Sequence, residues 1–173
     1  PADPTMTLKK GFLELSQLLA LLPRKERQDE LEQKFAGLLH DFHSLSYHRT
    51  FFYRRSKENR LYDMFSSLIQ RFSYLIADDD WREELDGPQI RLLEQLSDFL
   101  KSIAKELDTG IQGNWIGQAK QFLDNMSVRE GRVRIFCRSF LHMLILMLGS
   151  MTGDRSVVHG VDGQRMKELA HQV

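Results

Sequence analysis

"LYDMFSSLIQRFSYLI", residues 61–76, decides the fold class. Leu61, Met64, Phe65, Leu68, Ile69, Phe72 and Ile76 recur at three- and four-residue steps, while Asp63, Ser66, Gln70 and Ser73 fill the spaces between them. A strand sends alternate side chains to opposite faces, so it would need a period of two. This spacing instead gathers the apolar groups on one stripe of an α-helix. Ser56 can cap that helix, since its hydroxyl can accept a hydrogen bond from a free N–H of the first turn, and the stripe is expected to face a core.

The same period extends in both directions. Upstream, a first helix is expected from about Leu8 to Leu22, with Thr7 as its N-cap and Pro23 as its stop. A second, from about Lys25 to Tyr47, carries Leu31, Phe35, Leu38, Leu39, Phe42 and Leu45 on one face. Downstream, the acidic run "ADDDWREELDGP" breaks the pattern, and Gly87 and Pro88 suit a helix entrance, where proline gives up no needed N–H. The next helix turns Ile90, Leu93, Leu96, Leu100, Ile103 and Leu107 inward. After the loop "DTGIQGN", Trp115, Ile116, Ala119, Phe122 and Leu123 mark a short helix, and the most apolar one, from about Val128 to Met147, is expected at the centre. The chain therefore reads as all-α: an antiparallel bundle of about five to six helices followed by a C-terminal linker helix.

Four glycines at 149, 153, 160 and 163 change the texture and mark the end of the packed region. The expected organisation is a disordered or added tail over residues 1–6 and a helical regulatory bundle over 7–149. A Gly-rich linker over 150–163 follows, and residues 164–173 open a further helix capped by Asp162. A domain of this length buries roughly 70% of the surface of its unfolded chain, so one core suffices without staples. No secretory signal is read at the N-terminus. "FLHMLILML", residues 140–148, falls short of the ~20 residues that cross a bilayer and reads as a core helix, with no membrane insertion. The single cysteine, Cys137, excludes an intramolecular disulfide and fits a reducing compartment, so the cytoplasm is expected.

The candidate chemistry is sparse. Basic and acidic residues balance at 24 each, so the whole molecule has no electrostatic reason to seek nucleic acid or an anionic membrane. Between Tyr47 and Tyr62, however, five Lys/Arg stand against Glu58. There Arg49, Phe52, Tyr53, Arg54, Arg55 and Arg60 form a candidate partner surface. Guanidinium groups hold phosphates and rings stack bases, so a single-stranded nucleic acid is one occupant; the acidic segment 78–86 of a neighbouring subunit is another. His40 and His43 share a helical face, and His40-Asp41 resembles the metal-binding pair of the HD phosphohydrolases. That family also needs an upstream ligand histidine, and none precedes His40. Ordinary histidines on an amphipathic helix are the plainer reading. Trp81 and Trp115 could line a ligand cavity or simply fill core. Glycine-rich phosphate loops and a nucleophile turn are absent, so neither a catalytic residue nor a cofactor is expected.

The ending supplies the functional clue. Met166, Leu169 and Val173 are spaced three then four, as in a coiled-coil seam, and a helix of about ten residues is marginal without a partner. "MKELAHQV", residues 166–173, resembles the linker helix that precedes GGDEF domains, the catalytic domains of bacterial diguanylate cyclases. The resemblance implies a non-catalytic sensory and dimerisation domain of a cyclic-di-GMP signalling protein, a homodimer answering a small-molecule or protein stimulus. The Leu-Thr-Gly-Leu and Gly-Gly-Asp/Glu-Glu-Phe motifs of the output domain are absent, so it assigns no catalytic residue here. The competing reading is a freestanding helical adaptor or single-stranded nucleic-acid-binding protein built on residues 47–62.

Overall fold

A computed structural model describes residues 4–52, 57–77, 80–83, 85–107, 114–126 and 131–152, with side chains over 7–42 and from 60 onward within those ranges. Regular structure there is all-α: α1 Pro4–Leu21, a 3-10 turn Lys25–Arg27, α2 Gln28–Phe52, α3 Lys57–Ile76, α4 Asp80–Glu83, α5 Gly87–Glu106, α6 Trp115–Asp124 and α7 Arg132–Thr152. No strand occurs among the described residues.

The stripe read from residues 61–76 faces the core as its spacing requires. Phe65, Leu68, Ile69 and Phe72 are fully buried, and Leu61, Met64 and Ile76 are partly so. Tyr62 and Leu75 widen the stripe on either side. α3 packs on α2 and α7, α1 packs on α5 and α2, and α6 packs on α7. Edge-on rings join these layers: Phe12 of α1 meets Phe65 of α3 at 5.5 Å, and Phe72 of α3 meets Phe136 of α7 at 5.0 Å. Serine lets α1 and α5 approach closely. Ser97 Oγ donates to the Ser16 carbonyl at 2.8 Å, and Ser16 Oγ to the Leu13 carbonyl at 2.7 Å, so neither buried hydroxyl is left unsatisfied.

Several boundaries differ from expectation. α1 starts at Pro4 rather than after a Thr7 cap, because proline fits the first turn of a helix without forfeiting a bond. α2 begins after the 3-10 turn and continues to Phe52, five residues past Tyr47; no glycine or proline stands in residues 38–52 to stop it. α7 runs to Thr152, through a buried Gly149, because the apolar period continues over Leu148 and the half-buried Met151.

The acidic run is not featureless either. α4 forms one helical turn in which Trp81 is buried and its Nε1 donates to the Leu75 carbonyl at 2.6 Å. Lys25 pairs with Glu83 at 2.9 Å, and Arg82 donates to the Gln28 side chain, so this turn is fastened to the start of α2. By length and composition α7, at 21 residues, could cross a membrane, where the shorter apolar run read in the sequence could not. More than half of its apolar window is nevertheless buried inside the protein.

Candidate functional site

Two local signals fix the helices that frame a groove on the surface. α5 opens with a capping box: Asp86 Oδ1 accepts from the Gln89 N–H at 2.9 Å, and the Asp86 N–H donates to Gln89 Oε1 at 3.0 Å. α6 opens on Asn114, whose Oδ1 accepts from the Gly117 N–H at 3.0 Å. These bonds satisfy amides that a helix start leaves without partners, and they set where each helix begins.

α5 is held by α1 and α6 by α7, so the two backbones stand apart. Rings bridge them at one end, with Phe99 5.5 Å from Trp115 and 6.3 Å from Phe122 between centroids. Between the helices lies an open groove of about 630 Å³. Its floor is Leu92, Phe99, Phe122 and Met126; its rims carry Arg91 and Gln95 from α5 and Gln118, Gln121 and Asn125 from α6.

Arg91 is the one charged residue among those lining it, and no carboxylate faces the groove from them. Its guanidinium lies over Gly87, 3.1 Å from where a Cβ would stand there, and it makes no ion pair with a described residue. The four side-chain amides are likewise unengaged by other described residues. Such a lining can hold and orient a molecule through hydrogen bonds and ring contacts. It contains no group suited to act as nucleophile, general acid or general base near neutral pH.

The residues singled out in the sequence are scattered. His40 and Asp41 are exposed on α2, and the side chain of His43 lies outside the described ones. Among the described residues no three His, Cys, Asp or Glu side chains come together. Of the basic-aromatic surface, Arg60 is exposed, Arg49 and Phe52 belong to the last turns of α2, and Tyr53, Arg54 and Arg55 lie outside the described residues. Tyr62 is 1% exposed and its ring lies 6.1 Å from Phe42, so it is core and cannot stack on a base.

The tryptophans do not share a cavity. Trp81 is core beneath α4, while Trp115 abuts the Phe99 end of the groove and donates through Nε1 to Glu106. Cys137 is fully buried, and burial pushes its thiol up to about 12. Arg71 bridges α3 and α7, donating to the Ser67 carbonyl and hydroxyl at 2.8 and 2.6 Å and to the Ser139 carbonyl at 3.3 Å; burial lowers its pKa from the ordinary value. Met166, Leu169 and Val173 lie outside the described residues.

No family model, curated protein or solved structure matches this chain. The groove's own residues therefore carry its reading. They are also the ones the apolar pattern passed over: Gln118, Gln121 and Asn125 recur at three and four, on a face adjoining the buried one. That periodic run of neutral amides was the signal present in the sequence.

Proposed function

We propose that this chain is a non-catalytic regulatory and dimerisation domain of a bacterial cyclic-di-GMP signalling protein, working in the cytoplasm upstream of a GGDEF diguanylate cyclase domain. The observation that carries the reading is the likeness of Met166–Val173 to the helix preceding such domains. Two features of the fold support it. α7 contributes Phe136, Phe140, Leu144 and Leu148 to the core, and it is also the helix joined to residues 153–173. A change in how α3 or α6 packs on α7 thus acts on the helix whose end the Gly-rich linker continues.

The groove supplies a second support, since its lining offers hydrogen-bonding amides and rings to a ligand and α6, one of its walls, rests on α7. The burial of most of α7 favours a core helix over a membrane span. A cyclase must bring two nucleotide-loaded domains face to face, so a dimeric domain ahead of it can set their distance and rotation. Reading the coding sequence beyond Val173 tests the proposal. The expected continuation enters Leu-Thr-Gly-Leu and then Gly-Gly-Asp/Glu-Glu-Phe; a stop codon, or a domain of another kind, overturns it.

A further inference from the structure

We infer that the groove between α5 and α6 binds a flat, elongated aromatic carboxylate that carries hydrogen-bonding groups along its edges. Charge sets the first requirement. Charged residues make up 28% of the chain, yet Arg91 alone among the ten lining residues bears a charge. Loss of charge from a concave patch is a mark of recognition surfaces rather than of a solvated helix face. With one unpaired guanidinium and no lining carboxylate, the complementary ligand carries a single negative group at the Arg91 end.

Length and shape are set by the helix. Arg91 and Phe99 are eight residues apart on α5, which is about 12 Å along its axis, so the aromatic end of the ligand lies that far from its anionic end. Phe99 and Phe122, 6.3 Å apart and inclined at 44°, offer ring faces and edges there, and Leu92, beside Arg91, and the adaptable Met126 complete the apolar floor. Between the ends stand Gln95, Gln118, Gln121 and Asn125, each presenting both a donor and an acceptor that no described residue uses. The volume of about 630 Å³ is that of a small-molecule site, and a run of about two helical turns is too short for a stable protein interface.

The test titrates para-benzamidobenzoate, which has the required acid, amide and two rings, into isotope-labelled protein followed by NMR. Its neutral carboxamide serves as the comparison. Saturable shifts are expected in α5 and α6 and at the indole N–H of Trp115, whose ring touches Phe99. The neutral compound should bind roughly tenfold more weakly. Arg91→Gln should bring the acid down to the affinity of the carboxamide, and Gln121→Glu should weaken the acid while leaving the carboxamide nearly unchanged. Both positions are exposed and both replacements suit a helix, so an unchanged thermal midpoint is expected of each variant. Equal binding of acid and carboxamide, an acid affinity indifferent to Arg91→Gln, or no saturation in the millimolar range overturns the inference. Binding at this groove is independent of any sequence beyond Val173: a stop codon there leaves this inference standing, and a failed titration leaves the regulatory reading standing.

Discussion

Gly11 and Gly37 both lie inside helices, and the space beside each gives one substitution opposite signs. A Cβ on Gly11 would stand 2.5 Å from Phe65 Cζ and 3.0 Å from Phe42 Cζ, both rings of the core. Gly11→Ala should therefore destabilise by up to about 2 kcal/mol, because an overpacking cost of about 1–3 kcal/mol outweighs a helix-propensity gain of about 1 kcal/mol. Around Gly37 nothing lies within 4 Å, so only the propensity gain operates and Gly37→Ala should stabilise by about 0.5–1 kcal/mol. Urea unfolding of the two variants beside the parent checks both signs. Cys137 adds a pH dependence. Burial holds its thiol neutral up to about 12, whereas the unfolded chain ionises near 9.0. Above that value the unfolded state has lost a proton that the folded state keeps, so stability falls as pH rises. Cys137→Ala removes this loss, and its stability deficit against the parent should shrink by about 2 kcal/mol between roughly pH 8 and about pH 10.5 in the same measurement. The glycine contacts could not be read from the sequence, since a glycine's neighbours depend on which helices meet, whereas the burial of Cys137 follows from its place on the most apolar helix.

At the scale of the element, the entrance to α5 was the most legible boundary and the far end of α2 among the least. Gly87 and Pro88 announce the entrance to α5, and the reciprocal bond between Asp86 and Gln89 is written in the Asp-x-x-Gln spacing. Asp86→Ala removes both the side-chain acceptor and the box. It should cost about 1 kcal/mol, seen as a lower thermal midpoint, with Asp86→Ser retaining most of the stability. The far end of α2 carries no such sign. Its apolar period fades into "SYHRTFF", yet with nothing to break it the helix continues to Phe52. α4 was hidden for the opposite reason: four residues are too few to show a period, and the turn exists because Trp81 needs cover and finds the Leu75 carbonyl. The groove was hidden because periodicity reports what is buried, while Gln95 and Gln118 belong to rims that stay exposed.

For the whole molecule, one core unites helices from both halves of the chain, with Leu15 and Leu19 of α1, Leu96 and Leu100 of α5 and Phe140 of α7 all fully buried. All-α class came from the three-and-four spacing; which helix neighbours which did not, because an apolar stripe does not name its partner. That division of labour makes the terminal segment separable in experiment. If Met166 and Leu169 pair with their counterparts across a two-fold axis, replacing both with Glu exchanges apolar burial for like charges at four seam positions per dimer. Burial of each such side chain is worth about 1.5–3 kcal/mol, so even with generous losses to relaxation the dissociation constant should rise at least roughly a hundredfold. Sedimentation equilibrium of the complete chain reads that shift. The core supplies its own stability from residues up to 152, so the thermal midpoint measured on the monomeric variant at low concentration should match that of the parent at the same dilution. An unchanged dissociation constant would remove the terminal seam as the dimer contact and leave the exposed edge of α7 around Ile135, 39% accessible, as the next surface to mutate.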